Sequence, residues 1–212
     1  MTEQSFSWWQ QAINQLHGMW GWELVAVILA LAYLILAMNR NQWCWPAAFA
    51  STLIYTVLFW QVALLMESAL NVYYMIMAIY GFYIWHRDTA ENQQLMVISW
   101  SGQKHFAIVS VVTLLSLIAG YLMSTYTHAE FAYLDAATTC FAVYTTYLVA
   151  IRVLQNWLYW IVIDGVSIYL YFEKGLYLTA LLFVIYIVLA ILGYFSWQRK
   201  HRQQELSQCH QS

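Results

Sequence analysis

The stretch NWLYWIVIDGVSIYLYF, residues 156–172, is apolar enough to sit in a lipid bilayer, yet it carries Asp164 at its centre. A bilayer-spanning helix needs about 20 consecutive, mostly apolar residues, and the remainder of the 212-residue chain is built the same way. It is 63% hydrophobic and only 8% charged, where a soluble domain is about 25% charged. A mean hydropathy of +0.58 and a single proline fit the same class. The fold class is therefore all-α integral membrane, because in lipid a helix satisfies its own backbone groups. A net charge of −2 with no basic patch gives no footing for nucleic acid. Cys44, Cys140 and Cys209 share no spacing and imply neither a disulfide framework nor a metal site.

Seven spans are expected, at 22–38, 45–61, 67–85, 105–124, 133–150, 156–172 and 176–197. Residues 1–21 have no Lys or Arg and no early apolar core, so they are no signal peptide. They read as an interfacial segment with tryptophans at headgroup level. The one long polar connection is 86–104, and the tail from 198 to 212 is polar and expected to be disordered. Seven spans put Arg40, Arg87, Lys104, Arg152, Arg199, Lys200 and Arg202 on one side and only Lys174 on the other. Basic residues stay in the cytoplasm, which orients the N-terminus outside and the C-terminus inside.

The chain repeats itself at an offset of 112. LNVYYMIMAIYGFYIW (70–85) aligns without gaps on LFVIYIVLAILGYFSW (182–197), pairing Tyr74 with Tyr186, Gly81 with Gly193 and Trp85 with Trp197. Upstream, Trp45 pairs with Trp157 and Arg40 with Arg152. The expected organisation is a three-helix repeat over 22–85, a cytoplasmic loop and linker helix over 86–132, and a second repeat over 133–197. An extra helix between them makes the repeats parallel, an arrangement used by transporters with a site near the bilayer midplane. Duplication for stability alone is the plainer alternative.

Helical spacing sorts the polar residues into stripes. Span 6 aligns Trp157, Trp160, Asp164, Ser167 and Tyr171; span 7 offers Tyr186, span 3 Asn71 and Tyr74, and span 2 Thr52, the counterpart of Asp164. Asp at a helix centre costs roughly 2.5–3.5 kcal/mol on insertion scales, so it faces the bundle interior and needs a partner. No Lys or Arg lies inside a span, and the missing positive charge is assigned to the ligand. A carboxylate among aromatic faces suits a flat cationic heteroaromatic. The competing account is a protonated Asp164 hydrogen-bonded to Ser or Tyr hydroxyls. Glu67 reads as a solvated boundary acid. All six histidines fall outside the spans or at their ends, and no catalytic motif is present. No enzyme, metal or cofactor is expected.

The stretch from Asn156 to Trp197 resembles the Pnu-type vitamin transporters, the PnuC nicotinamide riboside family, bacterial relatives of the SWEET sugar transporters. The likeness rests on Asn156-Trp157, Trp160, the polar residue at 164, Lys174-Gly175-Leu176-Tyr177, and Gly193 with Trp197, and more loosely on Trp45-Pro46 and Asn71…Tyr80-Gly81…Trp85. It adds Asn156 to the candidate substrate contacts. It implies a SWEET-like three-plus-one-plus-three fold, a homotrimer in the bacterial inner membrane, and facilitated diffusion made productive by a cytoplasmic vitamin kinase. Nicotinamide riboside is the first substrate implied. Thiamine is the alternative, since thiamine-transporting relatives belong to the same family and Asp164 replaces an Asn frequent among nicotinamide riboside carriers. The alternative of another class is a vitamin-binding or sensing subunit that does not transport alone.

Overall fold

The computed structural model describes residues 21–61, 65–90, 95–127 and 131–209, together with Gln10 and Ile13. The interfacial reading of 1–21 therefore falls almost wholly outside the described residues. Seven helices follow in order: α1 Gly21–Met38, α2 Cys44–Gln61, α3 Leu65–Ala90, α4 Gly102–Tyr126, α5 Ala132–Ala150, α6 Asn156–Glu173 and α7 Tyr177–Cys209. By length and composition α1, α4 and α7 are long and apolar enough to cross a membrane. The other four are diluted by Trp, Tyr, Ser and Thr, the residues from which a polar interior is made.

Two expectations need correction. The tail is helical through Cys209. Its Lys, Arg, Gln and Glu are good helix formers with no Gly or Pro among them, and His201 pairs with Glu205 one turn on, at 3.6 Å. The polar connection is also shorter than expected, because α3 runs on to Ala90 and α4 begins at Gly102.

α1 and α5 close alike. Arg40 N–H donates to Ala37 O and Asn41 N–H to Leu36 O, both at 2.9 Å, with Arg40 at φ 55°. Arg152 N–H donates to Val149 O at 3.0 Å and Val153 N–H to Leu148 O at 2.9 Å, with Arg152 at φ 61°. This double bond onto a left-handed residue usually takes glycine, as α6 does at Gly175, φ 72°. An arginine there costs on the order of 1–2 kcal/mol.

The next helix of each set opens with a tryptophan laid on a glycine. A Cβ at Gly81 would overlap the Trp45 indole, and one at Gly193 would come within 2.8 Å of the Trp157 indole. Trp45 meets Trp85 edge-on at 5.5 Å and 88°, and Trp157 meets Trp197 at 5.4 Å and 89°. Trp85 and Trp197 join the pairs at 6.4 Å, giving a core of four indoles, each at most 2% exposed. The indole N–H groups cross over. Trp85 Nε1 donates to Ala150 O at the end of α5 (2.9 Å), and Trp197 Nε1 to Ala37 O in the last turn of α1 (3.1 Å). Accordingly α1 packs on α7 and α3 on α5, while α4 packs mainly on α5 and reaches α6 through His105 and Tyr159, 2.9 Å apart.

Candidate functional site

Asp164 sits in the middle of α6 and is 3% exposed. Among the described residues its carboxylate has no hydrogen-bond or ion-pair partner. It lies within electrostatic reach of Tyr74 on α3 and Tyr186 on α7. Tyr171 is an electrostatic neighbour of Tyr74 and stacks on Phe183 at 5.2 Å and 14°. Phe183 meets Tyr186 edge-on at 5.5 Å. Ser167, one turn along α6, is also buried. Acid and aromatic rings from α3, α6 and α7 thus converge on one region. Burying an ionised carboxylate without a partner is costly.

The other candidates are placed as follows. Trp157 belongs to the four-indole core, about 10 Å along α6 from Asp164 at 1.5 Å per residue. Asn156 is fully buried beside it and donates its amide to Val153 O at 2.6 Å. Trp160 stands between the two regions, half-buried against the core. The Thr52 hydroxyl donates back to its own helix, at 2.8 Å from Ala48 O and 3.1 Å from Phe49 O. Asn71 lies one turn before Tyr74, half-buried and engaged in an interaction of its own. The Glu67 side chain lies outside the described residues.

Sequence reasoning missed Tyr55 and Phe183. Tyr55 is an electrostatic neighbour of Tyr186 and stacks on Phe59 at 5.6 Å, which brings α2 to the same region. Both residues stand on the stripes that offset and helical spacing define, so a signal was present. A cavity of about 530 Å³ lies between α4, α5 and α6, lined by His105, Phe141, Leu158, Tyr159 and Val162 among others. It occupies another face of α6 and holds no carboxylate.

Apolar helices around an acid-bearing aromatic interior make this a membrane transport protein. The chain belongs to the nicotinamide mononucleotide transporter family, whose sequence profile matches residues 20–199. It is 25% identical over 190 residues to the riboflavin/roseoflavin transporter RibM of Streptomyces davaonensis, covering 88% of each chain. It is 21% identical over 176 residues to the nicotinamide riboside transporter PnuC of Escherichia coli, covering 71% of this chain and 74% of that one. A crystal structure of the vitamin B3 transporter PnuC superposes with a TM-score of 0.72 at 18% identity, over 92% of this chain and 88% of the other. The fold is shared, and the protein is a transporter, not an enzyme.

Proposed function

We propose that the chain takes up a cationic heteroaromatic vitamin, nicotinamide riboside first, by facilitated diffusion with alternating access. The observation that carries this is the buried carboxyl group of Asp164, with no hydrogen-bond partner among the described residues and with Tyr74 and Tyr186 within electrostatic reach. A cation supplied by the substrate completes the pair, and the rings offer cation–π faces. Thiamine carries a cationic ring too and is the alternative. Riboflavin, named for the Streptomyces relative, is uncharged and serves as the contrast.

The frame for this is two parallel three-helix units, α1–α3 and α5–α7, joined by α4. The recurring left-handed arginines and tryptophan-on-glycine contacts support it. Tyr74 comes from the first unit and Asp164 from the second, so the substrate sits between them. In the inner membrane the end bearing Arg40, Arg87, Lys104 and Arg152 faces the cytoplasm and the N-terminus lies outside, in keeping with the basic asymmetry. Assembly as a homotrimer and trapping of the vitamin by a cytoplasmic kinase complete the reading.

Counterflow in liposomes holding only this protein tests transport; binding without counterflow would make it a sensing subunit. Titration of nicotinamide riboside, thiamine and riboflavin against wild type and Asp164→Asn tests the site. Interactions with a charged partner are worth about 1.5–3 kcal/mol, so the variant should bind the cations roughly tenfold to hundredfold more weakly. Riboflavin binding should hold. Equal affinities in both proteins would assign Asp164 to structure.

A further inference from the structure

Five polar contacts join the units α1–α3 and α5–α7 among the described residues. Four of them gather at one end. They are Trp85 to Ala150 O, Trp197 to Ala37 O, Ser196 Oγ to Met38 O at 3.1 Å, and the ion pair of Arg152 with Asp88. The fifth, Tyr73 OH to Val143 O at 2.9 Å, lies near mid-helix. The other four mark the basic end. The same end is crossed by the segment 95–101. Arg40 Nη1 holds its Leu95 O at 2.9 Å and Arg152 Nε holds Met96 O at 3.1 Å. Ile98 bridges Val153, and Gln155 Nε2 donates to Ser99 Oγ at 2.7 Å and to Trp100 O at 3.3 Å. Val97 N–H donates to Gln204 Oε1 at 3.2 Å, which enlists the extension of α7.

The pairing breaks the repeat. Offset by 112, Asp88 corresponds to Lys200, so Arg152 has a carboxylate where Arg40 has only a carbonyl. Burial, with Arg152 nearby, pulls the Arg40 guanidinium below its usual range. Asp88 is 7% exposed. Both arginines are held in left-handed backbone, and such outliers persist where surrounding contacts fix them.

We infer that Asp88 and Arg152, with the 95–101 segment laid over them, are the gating pair that holds the two units closed at the basic end. Opening that end for substrate release requires the pair to part. This rests on the alternating-access reading above. A lone ion pair within one unit would only stabilise it; this one joins the last turn of α3 to the α5–α6 turn, across the seam.

The test places a reporter on the seam. Ser196→Cys is made with Cys140→Ser and Cys209→Ser, keeping the buried Cys44, and labelled with maleimide in detergent. Asp88→Asn should speed labelling about tenfold, the scale of one lost charge-assisted contact. It should change the counterflow half-time while leaving nicotinamide riboside affinity unchanged. Gln155→Ala, which loosens the segment without touching the buried charges, should speed labelling by about threefold, and decides the matter if Asp88→Asn does not fold. Folded variants that label at the parental rate overturn the gating pair. Absence of counterflow in wild type overturns the proposed function instead, since labelling needs no substrate.

Discussion

Helices α1–α3 and α5–α7, the two units of the proposed reading, share packing contacts and differ in charge. Trp45 on Gly81 and Trp157 on Gly193 are the same contact made twice, as are the left-handed closures at Arg40 and Arg152. At the positions that carry charge the units diverge. Thr52 stands where the second unit has Asp164, and Asp88 stands where it has Lys200. The duplicated contacts fall in the one core that α1–α3 and α5–α7 share, and the charged positions are the ones that differ.

The largest expected effect breaks the shared frame. Trp45→Ala and Trp157→Ala each empty a fully buried indole site and should each cost about 3–5 kcal/mol. Thermal unfolding in detergent should show drops of similar size for the two. A Trp157→Ala protein as stable as wild type but unable to bind vitamin would return that residue to the binding site.

A second comparison uses the two arginines, each replaced by glycine, which suits their backbone. Arg152→Gly removes the buried partner of Asp88 and leaves it only the largely exposed Arg87, at 3.4 Å, and should cost about 3 kcal/mol, the low end for a broken buried pair. Arg40→Gly loses one hydrogen bond to Leu95 O but relieves strain, so its net effect should stay within about 1 kcal/mol. Chemical unfolding of the two variants reads the difference. Equal costs would mean that the asymmetry of charge has no energetic content.

Much of this fold was legible because long apolar runs mark membrane helices. All seven expected spans fall within two or three residues of a helix at their starts. The extensions were hidden: α3 beyond Trp85 and α7 beyond Trp197 continue on polar helix formers, which leave no hydropathy signal. The arginine closures were hidden too, since the sequence cue for a left-handed cap is glycine. The stripe on α6 was legible as a face but not as a depth. Spacing of three and four joins Trp157 to Asp164, yet ring contacts tie Trp157 into the four-indole core, while Asp164 lies about two turns further along α6. Asp88 drew no notice because it lies in a polar stretch; its inverted counterpart Lys200 was the available clue.

The smallest expected effect sharpens the comparison between the two ends of the molecule. Lys174 Nζ lies 3.1 and 3.2 Å from the two Asp135 carboxylate oxygens, a geometry that looks as good as the pair at the basic end. Its side chains are 33% and 29% exposed, however, against 12% and 10% for Arg152 and Asp88. Exposed pairs gain little, since water screens the attraction and two flexible side chains must be held. It also ties the α6–α7 turn to α5, within one unit, and so closes nothing. Lys174→Met should therefore cost less than about 1 kcal/mol in thermal unfolding and leave the counterflow half-time as it was. If Lys174→Met altered counterflow as strongly as Asp88→Asn, closure could no longer be placed at the basic end alone.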